Sequence, residues 1–499
     1  MSKKNQNYTN RKQNRFQPER MRGNVFVNNS GKQWLPGENG RAAKVERLLR
    51  GAKEEKKEIA GNMAGYKDSG IEWIWAIPNE WKFVPLKDSF YFVAGGTPLS
   101  NVLSNWDEGV AWVTPADFKT DKMYISKGAR SLSKKGYQSC NAKMLPPGSI
   151  IFSKRAPIGS VAINTAELCT NQGCIGLLNK TKNANNKYFY YILSIATQTF
   201  EALGAGVTFK EISIKNFGNV SLPLPPLTEQ RRIADFLDTK CGILDRTIDA
   251  VSRQIEDLEK YKKALITRTV TKGICKKGEP ERAMKDSGVE WIGEVPEEWS
   301  VKRLKYVLDS IRNGASAASY EYEPDSFRYV RITDIDDNGN LKQTGKQYLP
   351  KEMAKNFILN KKAVLIANTG SLGKAMLFDP DEEDEVCALN GHLIEAIANP
   401  NIISNEYLYF FIKSYNYINW VNRSYVQTTM QMLSAGRHKN LPVTVPPLAE
   451  QQQIANYLDE KCKNIDNRVQ KRRQQLEWLK EYKKSLIFDY VTGKKRVEK

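Results

Sequence analysis

The sequence predicts a duplicated α/β (α+β) protein: two copies of a mixed module, separated by two long antiparallel coiled-coil helices and related by a pseudo-twofold internal repeat. Three observations predict it. Two blocks of sequence recur at nearly constant offsets. Both copies of the second block run into a long apolar seam of helical period, and the stretches between the blocks are short β-rich runs broken by Gly, Pro and Asn. At 499 residues the chain exceeds what one core usually serves. Its 40% hydrophobic content excludes a wholly disordered chain. No stretch approaches the ~18 apolar residues of a membrane span, and the N-terminus lacks the apolar segment of a secretory signal. Seven cysteines without CxxC spacing read as reduced thiols of a cytoplasmic protein.

The first element is a basic N-terminal arm over residues 1–62, expected to be flexible. Residues 1–60 hold 15 Lys+Arg and 6 Asp+Glu, so this arm carries +9 of the net +20. A short helix is expected from Arg41 to Ile59, interrupted by Gly51. Such an arm is either a solvated tail or a strand of charge that follows a nucleic-acid backbone.

Two modules come next, at 63–225 and 276–446. Residues 66–87 (YKDSGIEWIWAIPNEWKFVPLK) and 284–305 (MKDSGVEWIGEVPEEWSVKRLK) share 12 of 22 positions at an offset of 218. The Trp pairs of these leading segments, Trp73 with Trp81 and Trp291 with Trp299, are expected to pack them; a stacking platform for a base is the alternative. Within the modules, Val110–Thr114, Ser149–Ser153, Arg328–Ile332 and Ala363–Ala367 read as strands, and Asn186–Ala202 and Asn405–Asn422 as helices.

The helical elements occupy 226–275 and 447–499. PPLTEQRRIADFLDTKCGILD (225–245) and PPLAEQQQIANYLDEKCKNID (446–466) share 12 of 21 positions at an offset of 221. From Leu237 through Cys241, Leu244, Ile248, Val251, Ile255, Leu258 and Lys262 to Leu265 the seam steps 4-3-4-3. From Leu458 through Cys462, Ile465, Val469, Arg472, Leu476, Leu479 and Lys483 to Leu486 it does so again. This is a coiled-coil heptad with polar interruptions. Prolines just upstream mark the helix starts; Thr228 is expected to N-cap the first helix, whereas Ala449 cannot cap the second. A helix of about 43 residues would be roughly 64 Å long.

Catalytic chemistry is sparse. Gly370-Ser371-Leu372-Gly373-Lys374 lacks the spacing and the Ser/Thr of a phosphate loop, and Gly204–Gly206 is a lone Gly-x-Gly. Asn399-Pro400-Asn401 falls short of the Asn-Pro-Pro-aromatic cluster of amino-methyltransferases. The acidic run Asp379–Glu385 reads as a solvated loop rather than a metal site. Cys169 and Cys174 have no neighbouring histidine, and His392 and His438 are the only histidines. What remains is a basic, duplicated scaffold holding two divergent modules at a fixed separation. That geometry suits two DNA half-sites about one helical turn, ~34 Å, apart; unlike modules imply an asymmetric, interrupted site.

The paired KDSGxEWIG-x-x-P-x-EW segments, the PPLxEQ-x-x-IA-x-x-LD helix starts and the alternating layout resemble the specificity subunit of type I restriction–modification enzymes, over about residues 66–493. The resemblance implies two target recognition domains, each reading half of a bipartite double-stranded DNA site. It implies helices that set the spacer and dock two copies of a methyltransferase modification subunit, with a motor/nuclease restriction subunit able to join. Such a chain is not an enzyme and binds no cofactor itself; S-adenosylmethionine, ATP and Mg belong to the partner subunits. A bacterial cytoplasmic, nucleoid-associated location follows. The basic arm lies outside the resemblance.

DNA-contacting residues are expected in polar, Gly-containing loops after strands. In the first domain these are Gly96-Thr97-Pro98 with Ser100, Ser153-Lys154-Arg155, and Thr208-Phe209-Lys210. By position in the repeat, the second offers Arg312 to Ser316, Asn368-Thr369-Gly370, and Thr429-Met430-Gln431 with Arg437. Arg and Lys suit phosphates or guanine, Asn and Gln adenine. The rival readings are a non-sequence-specific architectural DNA-binding protein, a pure assembly protein and an unrecognised nuclease.

Overall fold

The computed structural model describes residues 65–498 apart from residue 72 and residues 119–121, 206–209, 275–277, 279–281, 337, 371–372, 380–385 and 425–432. The basic arm, with the helix expected at Arg41 to Ile59, and most of the acidic run lie outside the described residues. The chain divides into two compact units, one running to Leu237 and including Leu486–Lys499, the other Asp238–Ser485. The division falls inside both long helices rather than at their starts, and each unit is built around one module.

In the first unit the leading segment forms a hairpin, Tyr66–Ile71 with Ile74–Pro78. A five-stranded sheet follows in the order Phe90–Ala94, Cys174–Asn179, Ile150–Ser153, Val161–Asn164, Tyr124–Ile125. A three-stranded sheet orders Cys169–Thr170, Trp106–Val113 and Arg130–Leu132. The second unit repeats the plan where the sequence has diverged. Its main sheet orders Leu308–Asn313, Leu393–Ala398, Ala363–Ala367 and Ala375–Phe378, and its smaller one Tyr348–Pro350, Ser326–Val330 and Cys387–Leu389. Ile150–Ser153 and Ala363–Ala367 are buried at every position, which is why they read as unbroken runs (IIFS, AVLIA) rather than alternating ones.

Each expected module helix is two: Asn186–Ile195 then Thr197–Leu203, and Asn405–Ile412 then Tyr415–Ser424. Near each break a serine hydroxyl bonds the carbonyl three residues back, Ser194 to Tyr191 at 2.7 Å and Ser414 to Phe411 at 2.6 Å. That bond competes with the helical ladder.

The long helices span Leu227–Lys272 and Leu448–Val491, about 69 and 66 Å at the usual rise. Thr228 does not cap the first. The Pro226 carbonyl accepts the N–H groups of Glu229 and Gln230 at 2.9 and 3.0 Å, and Pro447 does the same for Glu450 and Gln451. Both helices therefore start two residues earlier than a cap at Thr228 or its counterpart requires, and Ala449 costs the second copy nothing.

The shared PPLxEQ motif is a structural joint. Gln230 is fully buried; its amide donates to the Pro225 and Asn183 carbonyls and its oxygen accepts from Asn185 N–H at 2.9 Å. Gln451 repeats this with Pro446, Ile402 and Ser404. Glu229 accepts the indole N–H of Trp81 at 3.0 Å, and Glu450 that of Trp299 at 2.9 Å. Both tryptophans have 0% exposure, so packing, not base stacking, is their role. An arginine completes each joint from the segment after a long helix. Arg282 pairs with Glu450 at 2.6 Å and with Glu298, whereas Arg496 pairs with Glu229 at 2.8 Å and Glu80 at 2.6 Å. The repeat thus closes on itself, with the C-terminal tail doing in the first unit what the interdomain connection does in the second.

Within the second unit the two helices pack antiparallel. Val251, Ile255, Ile465, Val469 and Leu479 form their buried seam. The polar interruptions are its register pins: Lys262 Nζ lies 2.7 Å from Asp466 Oδ1, and Lys483 Nζ 2.5 Å from Asp245 Oδ1. At the offset of 221 these are one interaction made twice, as a pseudo-twofold axis requires.

Candidate nucleic-acid interface

In the first unit, Phe90–Ala94 and Ile150–Ser153 both pair antiparallel with Cys174–Asn179. They therefore run the same way, and their C-terminal ends emerge at one sheet edge, beside the start of the strand between them. Three backbone bonds hold that edge: Gly96 N–H to Thr170 O at 2.8 Å, Lys154 N–H to Gly173 O at 2.9 Å, and Gly173 N–H to the Asn171 side chain at 2.9 Å. The second unit has the same frame. Ala315 N–H reaches Leu389 O at 2.9 Å, Asn368 N–H reaches His392 O at 3.2 Å, and His392 N–H reaches the Asn390 side chain at 2.9 Å. The turn into the edge needs glycine in both. A Cβ on Gly95 would lie 2.0 Å from Asn171 O, and on Gly314 2.3 Å from Asn390 O.

Strand register thus superposes Thr97 on Ser316, Lys154 and Arg155 on Asn368 and Thr369, and Gly173 on His392. In the first unit the edge is charged. Lys154 and Arg155 both pair with Glu211, Arg155 Nε at 2.7 Å. Burial alone would raise the Glu211 carboxyl, but hydrogen bonds from Lys154 and Arg155, and their charges, hold it below the usual range. Arg155 keeps 41% of its side chain exposed. Thr97 is exposed and hydrogen-bonds Gln172; Ser100 and Lys210 are exposed; Ser153 is buried, its hydroxyl donating to Arg155 O at 2.7 Å.

The second edge is neutral and hydrogen-bonding. Ser316 is exposed, and the Thr369 hydroxyl lies 3.1 Å from His392 Nδ1. Two of the expected contacts are internal instead. Arg312 is spent on the fully buried Glu395 and on the Asn356 and Ile358 carbonyls, at 3.0 and 2.5 Å, and so braces the sheet. Asn368 has 0% exposure and donates to Gly391 O at 3.0 Å, because its position continues a strand buried on both faces. Arg437 is exposed, with Nη1 2.6 Å from Ser424 O. Thr208, Thr429 and Gln431, with Phe209 and Met430, lie outside the described residues.

Two sheets sharing a four-strand order, ending in the same loop frame and carrying unlike side chains, match a known family. The family model for the type I restriction modification DNA specificity domain fits residues 78–260 and 296–477, once per copy. The chain belongs to this family. It is similar to the type I restriction enzyme MjaIX specificity subunit of Methanocaldococcus jannaschii, 26% identical over 85% of this chain and 95% of that one. The MjaVIII specificity subunit of the same organism is 24% identical over 85% and 94%. The EcoBI specificity subunit of Escherichia coli is 24% identical over 55% and 58%. A solved structure described as underlying complex assembly and conformational transition of the type I R-M system matches with a TM-score of 0.63 and 16% identity, covering 84% of this chain and 99% of that chain.

In this specificity-domain chain, sequence reasoning missed Gln172, Glu211 and His392. A signal existed: NQGC (171–174) and NGHL (390–393) are the same Asx turn leading into the same strand, but one identity in four does not reveal a repeat. Glu211 had none, since its partners lie more than 50 residues away.

Proposed function

We propose that this chain is the DNA sequence-specificity subunit of a type I restriction–modification complex. Each domain reads one half of an asymmetric bipartite site with the loops at its main sheet edge. The charged first edge, with Lys154, Arg155 and Lys210, suits phosphates and guanine; the second, with Ser316, Thr369 and His392, reads by neutral hydrogen bonds. The antiparallel helices, pinned in register by Lys262–Asp466 and Lys483–Asp245, set the spacing and dock two modification subunits, which a restriction subunit joins. The chain is non-catalytic, and S-adenosylmethionine, ATP and Mg act on the partner subunits. The observation that carries this reading is the common backbone frame bearing different side chains in the two copies. Identical edges would read a palindrome.

The test is selection from a random duplex pool by the chain with its modification subunit, at two salt concentrations. Enrichment of two unlike short sequences around a fixed unspecified gap is the expected result. Binding that ignores sequence and falls steeply with salt would refute it.

A further inference from the structure

We infer that His392 is a base-reading residue of the second domain, and that Thr369 positions its ring. This rests on the DNA-specificity reading above and deepens it. His392 stands at the edge where the sheet strands end, and its backbone is fixed from both sides: its N–H donates to Asn390 Oδ1 at 2.9 Å and its carbonyl accepts from Asn368 N–H at 3.2 Å. Its neighbour Gly391 is held as well, with its N–H on Ala315 O at 2.6 Å and its carbonyl taking the Asn368 amide at 3.0 Å. The side chain itself is exposed, yet it is tethered, with Nδ1 3.1 Å from the Thr369 hydroxyl.

An exposed ring on a rigid backbone, with one nitrogen occupied, leaves Nε2 as a single hydrogen-bonding point. It has lost much of the rotamer freedom that an unrestrained surface side chain gives up on binding. As a donor Nε2 suits a purine N7 or O6, and as an acceptor an exocyclic amine; either role discriminates between base pairs in the major groove. The first domain has Gly173 at the same register position, with no side chain to offer. One difference between the two half-sites is thereby assigned to one residue. Two other groups expected at this edge, Arg312 and Asn368, do not compete for the role, since both are turned to internal partners.

The test is duplex selection and competition binding by the complex of full-length chain and modification subunit, comparing wild type with His392→Ala, His392→Gln and Thr369→Val. The expected result is about a tenfold loss of discrimination at one base pair of one half-site for His392→Ala. Thr369→Val should give a smaller loss at the same base pair, and His392→Gln an altered preference there. The other half-site should stay as selective as before. His392 packs through its backbone rather than its ring, so the variants should melt with the wild type. An unchanged preference at every position would overturn the assignment. So would a uniform loss of affinity across all sequences with the selected site intact, since that marks a phosphate contact. A wild-type complex that selects no bipartite sequence would overturn both this assignment and the reading it rests on.

Discussion

Replacing Lys413 with methionine should stabilise the second unit. Lys413 ends the helix Asn405–Ile412 and is half-buried, with Nζ over the Tyr409 ring at 5.6 Å. Burial, with the Lys262 charge, pushes its ammonium down to about 8, against the opposing pull of Asp466, Cys462 and Asp336. The unfolded chain holds this proton to about 10.4. Between those values the folded state binds fewer protons than the unfolded one, so stability rises with pH from about 8 to about 10.4; below about 8 the full cost of the buried charge is present. At 1.36 kcal/mol per pH unit the gap corresponds to about 3 kcal/mol, and partial exposure discounts it to roughly 1.5–2 kcal/mol. Methionine matches the stem and carries no charge. Lys413→Met should therefore raise the urea midpoint of the full chain at about pH 7, and its advantage should shrink by about pH 10. The neighbouring Cys462 thiol, pushed up to about 11 by burial, is held down by the Lys413 charge, so removing that charge raises it further and keeps it protonated across this range. A variant no more stable than wild type at about pH 7, or an advantage independent of pH, would refute the reasoning.

Four further outcomes follow from the joints, the helix seam and the edges. Glu229→Ala strands the Trp81 indole N–H at 0% exposure and frees Arg496, so it should cost about 1–3 kcal/mol in chemical denaturation; Glu450→Ala should do the same through Trp299 and Arg282. A double-mutant cycle on Lys262 and Asp466, read by denaturation, should return a coupling of about 1 kcal/mol, and a value near zero would remove their role as a register pin. Glu211→Gln releases Lys154 and Arg155, and should strengthen non-specific duplex binding while steepening its salt dependence by about one charge. Arg155→Ala should act in the opposite sense, weakening binding by about 1–3 kcal/mol if the guanidinium reaches a base; titrations at two salt concentrations separate the two.

Much of the architecture was legible because it is written in one dimension. The 4-3-4-3 seams name the buried face of each helix without reference to anything else in the chain, and Val251, Ile255, Ile465 and Val469 are buried as they require. The polar residues breaking those seams were visible as interruptions, but that Lys262 meets Asp466 depends on the antiparallel register. The helix starts were placed within a residue or two, and the cap was misassigned because Pro226 uses its carbonyl where a Thr side chain was expected.

The edge residues divide along the same line. That loops after strands would gather at one place follows from alternating strand direction, and Thr97, Ser100, Arg155, Lys210, Ser316 and Arg437 are at least partly exposed as expected. Exposure of a particular side chain does not follow. Asn368 and Arg312 are polar residues in the right loops, yet one extends a strand covered on both faces and the other answers a buried Glu395 83 residues away.

The sequence by itself determined the duplication, the two long helices and the offsets between copies, because identity and periodicity are properties of residues near one another along the chain. Only the tertiary structure decided that Arg496 completes the joint that Arg282 completes in the other unit, that Glu211 holds Lys154 and Arg155, and that His392 stands where the first domain has Gly173. Those assignments depend on which strands pair and in which register. A hydrogen bond or an ion pair is then decided by a few ångströms between residues that the chain itself separates by tens or hundreds of positions.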